Sequence, residues 1–363
     1  MMIRSLIVAC MFLAGGIAPA QAATIRDAHG RKVEVATPVR RMVLSDASAV
    51  LSLALLTDDP VAPIAGWAGE MRLDPDLRRA LEARFPAAKT VVSVGGTDLS
   101  LSAEHVIAAN PDVVVVSGLD EEAVSLDLFE RLGIPAVFID TPAEDTAGIL
   151  TETYRSLEIL GALLEKTDRA VEFIAFHRAH AQRIIDGQHD LAYRPRVLFH
   201  AHASADEPCC LSPGARSDYI EFSGGENIGR SLLPVAVGQI SLEYVIAANP
   251  DVYVATGGKY TQGGIRLGPG ADPETALEDL RDLMATGHWS HLDAVRNGRV
   301  HALWHGLLAT PLNILALEAM ATWFQPERYG DVDPSQTLAA INSRYLALPL
   351  DGVLWTGLAD ETD

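Results

Sequence analysis

The chain has 363 residues, with 28 basic against 48 acidic side chains and a formal net charge of −20. Apolar residues make up 48% of it and charged residues 21%, which excludes a disordered or fibrous chain. The length suits two domains, each able to bury its own core. The negative charge argues against binding nucleic acid or an anionic membrane surface through the overall field.

The amino terminus predicts a secretion signal. Arg4 gives it a basic start, residues 6–20 form an uncharged, mostly apolar run, and residues 20–22 read Ala-Gln-Ala, the pattern of a cleavage site. We therefore expect a signal peptide over residues 1–22 and an exported, periplasmic mature chain. Residues 7–10 weakly resemble a lipoprotein box, but the apolar stretch continues past Cys10 and disfavours lipidation.

The most informative feature is an internal repeat. Residues 102–118 read SAEHVIAANPDVVVVSG and residues 241–257 read SLEYVIAANPDVYVATG, identical at twelve of seventeen positions. Each copy predicts a short helix, a turn marked by proline, and a buried strand over 112–116 or 251–255. A continuous β-branched strand is typical of a parallel sheet covered on both faces. Two copies at this spacing predict two lobes of like architecture.

The rest of the chain fits this plan. Further strands are predicted at residues 41–44, 61–65, 136–139, 196–199 and 299–303. Helical stretches alternate with them, so we expect an α/β fold of mainly parallel sheets flanked by helices. Apolar residues at helical spacing over 143–187 predict a long helical spine, with Gly161 a possible break into two helices. The predicted divisions are an N-terminal lobe at 23–142, this connecting helix, a C-terminal lobe at 188–350 and a tail at 351–363.

The signal peptide, the two lobes, the helical spine and the repeat together resemble the class III periplasmic substrate-binding proteins. That family serves ABC importers of ferric siderophores, haem and vitamin B12. Residues 217–228 (SDYIEFSGGENI) and 289–300 (WSHLDAVRNGRV) are similar to segments of the same family. The resemblance spans about residues 24–350 and implies a monomer that delivers its ligand to an inner-membrane permease, without enzymatic activity.

The resemblance also implies docking residues. In the family, one glutamate of each lobe pairs with arginines of the permease, and Glu104 and Glu243 occupy that place in the two repeats. The alternative is that both carboxylates only complement the dipole of a short helix.

Ligands of open α/β sheets lie beyond the carboxyl ends of the strands. Aromatic, histidine and arginine side chains near those ends suit a bulky anionic chelate. The predicted ligand-binding residues are Trp67, Arg72, His200, Arg216, Tyr260, Arg266, Trp304 and His305. Ser45, Asp46, Gly66, Asp140, His202, Gly257 and Gly258 follow strands in the same way. We expect a ferric siderophore, with vitamin B12 or haem (with His200, Tyr260 or His305 as axial ligand) as the alternatives.

Two other kinds of chemistry are disfavoured. His200 and His202 with Cys209 and Cys210 could coordinate a metal, but the first lobe has no matching histidine pair, so no metal site and no cofactor are predicted. The adjacent cysteines could form a disulfide or remain thiols. An exported metal-dependent enzyme is the rival class, but the sequence contains neither a phosphate loop nor a nucleophile elbow, and we predict no catalytic residues.

Overall fold

The computed structural model describes residues 21–95, 100–118, 126–141, 148–204, 209–215, 218–258, 264–286 and 289–358. The strands are β1 (Gln21–Arg26), β2 (Lys32–Thr37), β3 (Met42–Leu44), β4 (Ile64–Trp67), β5 (Val92–Ser93), β6 (Val113–Val116), β7 (Ala136–Phe138), β8 (Arg196–His200), β9 (Leu211–Pro213), β10 (Glu226–Asn227), β11 (Val237–Gln239), β12 (Val252–Gly257), β13 (Gly268–Pro269), β14 (Val300–Trp304), β15 (Gly352–Val353) and β16 (Trp355–Gly357). The α-helices are α1 (Val50–Leu56), α2 (Pro75–Arg84), α3 (Ala103–Ala109), α4 (Leu126–Arg131), α5 (Ile149–Leu163), α6 (Thr167–Gly187), α7 (Tyr219–Phe222), α8 (Leu242–Ala248), α9 (Pro273–Ala285), α10 (Asp293–Arg296), α11 (Asn313–Phe324), α12 (Pro326–Tyr329) and α13 (Pro334–Arg344).

The N-terminal lobe contains a five-stranded sheet in the order β5-β4-β3-β6-β7, with every pair parallel. All residues of β3, β6 and β7 are buried. Helices cover both faces, which explains why four consecutive valines form β6 without a polar alternation. The α/β prediction is confirmed.

The C-terminal lobe contains a second five-stranded sheet, in the order β10-β8-β12-β14-β16. Its strands are parallel except β16, which pairs antiparallel with β14 at the edge. Residues 352–357 were expected to belong to a tail. They instead supply β15 and β16: β16 closes the edge of this sheet beside β14, and β15 pairs with β13 in a separate two-stranded sheet.

One predicted strand is displaced. The sequence predicted a strand over 61–65, but β4 begins at Ile64. The Asp59 carboxylate accepts hydrogen bonds from the backbone N–H groups of Val61 and Ala62, which fixes a turn there. Pro63 then has no N–H to donate to a neighbouring strand, so pairing starts after it.

The spine between the lobes consists of two helices, α5 and α6, rather than one. The chain leaves the helical conformation at Glu165, whose φ is 54°. Gly161 lies one turn before the break, where an added Cβ would be only 2.9 Å from the Ala170 Cβ. The two helices therefore fold back closely on each other, and a side chain at 161 would push them apart.

Two further features bear on the sequence predictions. Residues 1–20 of the predicted signal peptide lie outside the described residues, and Gln21 and Ala22 begin β1, opposite Thr37 and Ala36. No helix within the described ranges is long and apolar enough to cross a membrane.

Candidate functional site

A cavity of about 280 Å³ lies between the lobes, above the first helix of the spine. Both lobes and α5 contribute to its wall. Its polar lining comes from Asp46, Ser48, Ser52, Ser117, Asp140, Thr141, Glu152, Thr153, Ser156, Asp218, Tyr219, Thr310 and Asn313.

The first lobe places its polar groups through its sheet. Asp46, Ser117 and Asp140 come just after β3, β6 and β7, three neighbouring parallel strands. Their side chains meet at one edge because the carboxyl ends of parallel strands coincide. The Ser117 N–H donates to the Ser45 hydroxyl at 2.9 Å, which ties two of the strand ends together.

Asp46 is the neutralised carboxylate of this edge. It accepts a hydrogen bond from the Ser48 N–H at 2.8 Å and pairs with Arg72 Nη1 at 2.5 Å. Arg72 therefore lies beside the cavity, as the sequence suggested, but its charge is directed at the protein's own carboxylate.

Asp140 has no ion-pair partner among the described residues. Its carboxylate accepts hydrogen bonds from the Gly118 N–H and, at 3.4 Å, from the Ser117 hydroxyl. Burial raises the pKa of Asp140 to about 6; the Gly118 N–H opposes this shift, and the negative charges of Glu152 and Asp46 add to it.

Asp218 comes from the second lobe, just before α7, and faces the start of α5. Its Oδ1 atom is buried and has no hydrogen-bond partner within the part of the chain that the structure describes. Burial raises the pKa of Asp218, although the Ile149 N–H at the start of α5 opposes the shift.

Glu152 completes the set of carboxylates. Its Oε1 accepts from Arg155 Nη1 at 3.0 Å and its Oε2 from the Thr141 N–H at 3.1 Å. Among the described residues, the cavity is thus lined by four carboxylates, of which two have arginine partners.

A buried hydrogen-bond chain runs from the cavity wall into the spine. Asn313 Nδ2 donates to Thr153 Oγ1 at 2.8 Å, so Asn313 Oδ1 is left to accept from His177 Nε2, also at 2.8 Å. His177 Nδ1 then carries no proton and accepts from the Tyr154 hydroxyl at 3.3 Å. Burial lowers the pKa of His177 to about 4, which keeps this neutral tautomer at physiological pH.

Three predicted ligand-binding residues are core residues instead. Trp67 and Trp304 are each only 1% exposed, and Trp67 Nε1 donates to Glu70 Oε1 at 2.7 Å. His200 is buried, with Nδ1 2.7 Å from the Tyr253 hydroxyl. Neither the indoles nor this imidazole lines the cavity. Each side chain turns inward at its strand end and packs in the core.

Arg266 and His305 also lie away from the cavity. Arg266 is ion-paired with Asp279 at 2.7 Å on the surface. His305 stacks on His202 with ring centroids 3.9 Å apart, and its Nδ1 lies 3.0 Å from Thr256 Oγ1. Arg216 and Tyr260 are outside the described residues.

The described residues contain no group of three or more side chains arranged to bind a metal ion. Cys209 and Cys210 are joined in a disulfide, so they are not thiolate ligands for a metal with His200 and His202.

Sequence reasoning missed Glu152, Thr153, Asp218 and Asn313. Thr153 and Ser156 are polar residues on the buried face of α5. Polar residues on an apolar face need partners, and that signal could have identified this wall of the cavity.

Glu104 and Glu243 lie in the first turns of α3 and α8, one on each lobe, and both side chains are exposed. The pKa of Glu243 is lowered by hydrogen bonds from its own backbone N–H and from Ser241. Three residues further on, Ile107 and Ile246 are 44% and 46% exposed, so each short helix presents a carboxylate and an isoleucine to solvent.

Residues 42–304, more than half of the chain, match the family described as periplasmic binding protein. No curated protein matches the chain significantly. Among solved structures, the TroA-like periplasmic binding protein FepB from Veillonella parvula is 24% identical, with a TM-score of 0.81 over 92% of this chain and 99% of that one.

Two other structures show the same fold at lower similarity. The molybdate periplasmic binding protein MolA from Haemophilus influenzae is 18% identical, with a TM-score of 0.68 over 89% of this chain and 97% of that one. A protein of an ABC-type Fe³⁺-hydroxamate transport system from Saccharomonospora viridis is 21% identical, with a TM-score of 0.56 over 84% of this chain and 99% of that one.

Proposed function

Because the chain belongs to the periplasmic binding protein family, we propose that it captures a ferric siderophore between its lobes and delivers it to an ABC importer. The observation that carries this proposal is the cavity between the lobes, whose wall combines both lobes with α5. Its volume of about 280 Å³ is near the lower limit of small-molecule sites, roughly 300–1,000 Å³. We infer that part of the chelate enters the cavity and the rest lies at its opening.

Haem is less well supported by this lining. Haem iron needs an axial donor such as histidine or tyrosine. The described lining contains no histidine, and its one tyrosine, Tyr219, already donates its hydroxyl to the Leu308 carbonyl at 2.6 Å.

The proposed ligand can be tested by following intrinsic tryptophan fluorescence during titration with ferric siderophores, haemin, cyanocobalamin and molybdate. We expect saturable binding of at least one ferric siderophore with a dissociation constant of about 1 μM or below. Tight binding of haemin or cyanocobalamin, with no response to any ferric chelate, would contradict the siderophore assignment.

We also propose that Glu104 and Glu243 dock the permease, after export directed by residues 1–22. Exposed carboxylates on equivalent helices of the two lobes suit a partner that contacts both lobes at once. The double variant Glu104→Ala/Glu243→Ala should abolish uptake in cells while ligand affinity and thermal stability stay unchanged. Asp127→Ala, an exposed carboxylate on α4, is the matched control. Normal uptake by the double variant would refute the docking role.

A further inference from the structure

We propose that each lobe docks the permease through a helix face on which an isoleucine and an alanine lie beside the glutamate. The face consists of Glu104, Ile107 and Ala108 on α3, and of Glu243, Ile246 and Ala247 on α8. This inference rests on the proposed docking role and specifies the partner surface as an apolar hollow next to a basic group, presented once to each lobe.

The geometry of the two short helices brings these side chains together. All six residues are exposed. Residues three and four apart on a helix are neighbours on one side, so each glutamate has the isoleucine and the alanine beside it. Val106 and Val245 are completely buried and hold the opposite side of each helix against its lobe. Ile107 and Ile246 therefore point away from the protein and remain 44% and 46% exposed.

The two copies of the repeat keep this face although the fold does not require it. Other identical pairs have a role within their lobe: the serine caps the helix, the asparagine ends it in the left-handed region, and the aspartate ties it to the neighbouring strand. The isoleucine is only partly buried in either copy. Isoleucine is also a poorer helix former than alanine or leucine, so helix propensity does not account for it.

Other positions of the same helix differ between the lobes. His105 corresponds to Tyr244, whose hydroxyl donates to the Ile228 carbonyl at 2.9 Å. Ala103 corresponds to Leu242, and both pack against the hydrophobic core. The helix as a whole is therefore free to vary. A single exposed isoleucine needs no explanation, but the same isoleucine beside the same carboxylate on both lobes indicates that the two faces meet the same kind of surface.

The permease of an ABC importer is the partner that fits two equal faces. A solvent-exposed ion pair contributes little, whereas a pair ringed by apolar contacts that exclude water contributes more. An arginine or lysine beside an apolar hollow on the permease would combine both contacts. A second copy of this chain fits poorly, because it would bring glutamate against glutamate between two proteins of net charge −20.

The first test replaces both isoleucines in the full chain. Ile107→Ala/Ile246→Ala should lower cellular uptake of a ferric siderophore about tenfold when the binding protein is limiting, because the apolar part of the contact is lost. Siderophore affinity and melting temperature should stay unchanged, since alanine is a good helix former and the replaced side chains are exposed. Val171→Ala, at a valine 58% exposed on α6, is the matched control and should alter none of these measurements.

The second test does not depend on which chelate is transported. A photo-crosslinking amino acid is placed at position 107, 246 or 171 of the full chain, and cells are irradiated. Positions 107 and 246 should each form a covalent product with an inner-membrane permease subunit, identified by mass spectrometry. Position 171, on the spine, should form none.

The outcomes separate this inference from the docking role on which it rests. If the isoleucine variant keeps uptake within about twofold of wild type while Glu104→Ala/Glu243→Ala abolishes it, the apolar contact is overturned and the glutamates keep their role. Normal uptake by the glutamate variant, with no permease product from position 107 or 246, overturns both. Products that join two copies of this chain would assign the faces to self-association and overturn the inference as well.

Discussion

The two lobes build the same helix–turn–strand unit but fill the core around it differently. Both helices begin at a serine whose hydroxyl accepts a backbone N–H at 3.3 Å, Ser102 for α3 and Ser241 for α8. Both end at an asparagine in the left-handed region, Asn110 and Asn249, each with a φ of 45°. Asparagine tolerates this conformation better than most residues, which accounts for its presence at both positions.

The likeness extends beyond the seventeen aligned residues. Asp112 and Asp251 each accept a hydrogen bond from the backbone N–H of the arginine at the start of the neighbouring strand, Arg41 at 2.9 Å and Arg196 at 2.7 Å. Each arginine side chain returns to donate to a carbonyl at the end of the short helix. These arginines are not related by the spacing of the repeat, so only the structure reveals that the two are equivalent.

The largest difference in side-chain size lies at a buried position of the repeat. Val114 in the first lobe corresponds to Tyr253 in the second, and both are completely buried. The tyrosine hydroxyl requires a partner, and His200 supplies one at 2.7 Å, while Trp289 packs edge-on against the ring with centroids 5.3 Å apart. The two repeats thus keep the same hydrogen bonds at the ends of their short helices. The buried tyrosine of the second lobe, by contrast, is accompanied by neighbours that bind its hydroxyl and pack against its ring.

The largest expected effect comes from making the second lobe resemble the first. Tyr253→Val should lower the free energy of unfolding by about 3 kcal/mol, because it leaves a cavity and removes the partner of His200. Tyr253→Phe keeps the volume and should cost about 1–2 kcal/mol. Urea denaturation measures both values. A loss below about 1 kcal/mol for Tyr253→Val would show that the core repacks freely.

The next prediction concerns the pH dependence of stability at two aspartates. Each caps a helix that begins with proline, Asp74 before α2 and Asp272 before α9. Burial raises the pKa of Asp74 from 3.8 to about 7. Hydrogen bonds from Thr275 lower the pKa of Asp272. Asp74 therefore binds a proton more tightly in the folded state, and its contribution to stability falls as pH rises from about 4 to 7. The Asp272 carboxylate stabilises the folded protein at pH values above its pKa in the unfolded chain. This contribution is lost as the pH falls through its lower pKa in the folded protein.

Substitution by asparagine, which also caps helices well, isolates these charges. Asp74→Asn should raise the melting temperature at pH 8 and change it little at pH 4, since the wild-type group is then protonated. Asp272→Asn should lower the melting temperature at pH 7, with the difference vanishing in acid. The same pH dependence for both variants would contradict the assignment of opposite shifts.

The smallest effect distinguishes the two left-handed asparagines. Asn110→Gly should change the free energy of unfolding by less than about 0.5 kcal/mol, because glycine accepts this conformation readily. Asn249 Nδ2 also donates to Asp293 Oδ2 at 2.7 Å, and Asn249 Oδ1 accepts from the Asp293 N–H at 2.9 Å. Because Asn249→Gly loses both bonds, it should lower the free energy of unfolding by about 1–2 kcal/mol. Equal costs in chemical denaturation would mean that the Asp293 bonds contribute nothing.

The sequence was a better guide to the strands than to the site. Patterns of β-branched residues located β6 and β12, and the rule about strand ends led to Asp46 and Asp140 in the cavity wall. The same rule failed for Trp67, His200 and Trp304, because position after a strand does not determine whether a side chain turns outward or into the core. Asp218 and Asn313 reach the cavity only through tertiary packing of α7 and α11, which one sequence does not reveal.

The hydrogen-bond chain from Tyr154 through His177 and Asn313 to Thr153 has a consequence for the thermodynamics of binding. Every donor in it points towards the cavity, and the last hydroxyl, that of Thr153, donates to the Ile149 carbonyl at 2.7 Å. This wall is therefore rigid and already satisfied before a ligand arrives. Binding against it therefore costs little side-chain conformational entropy.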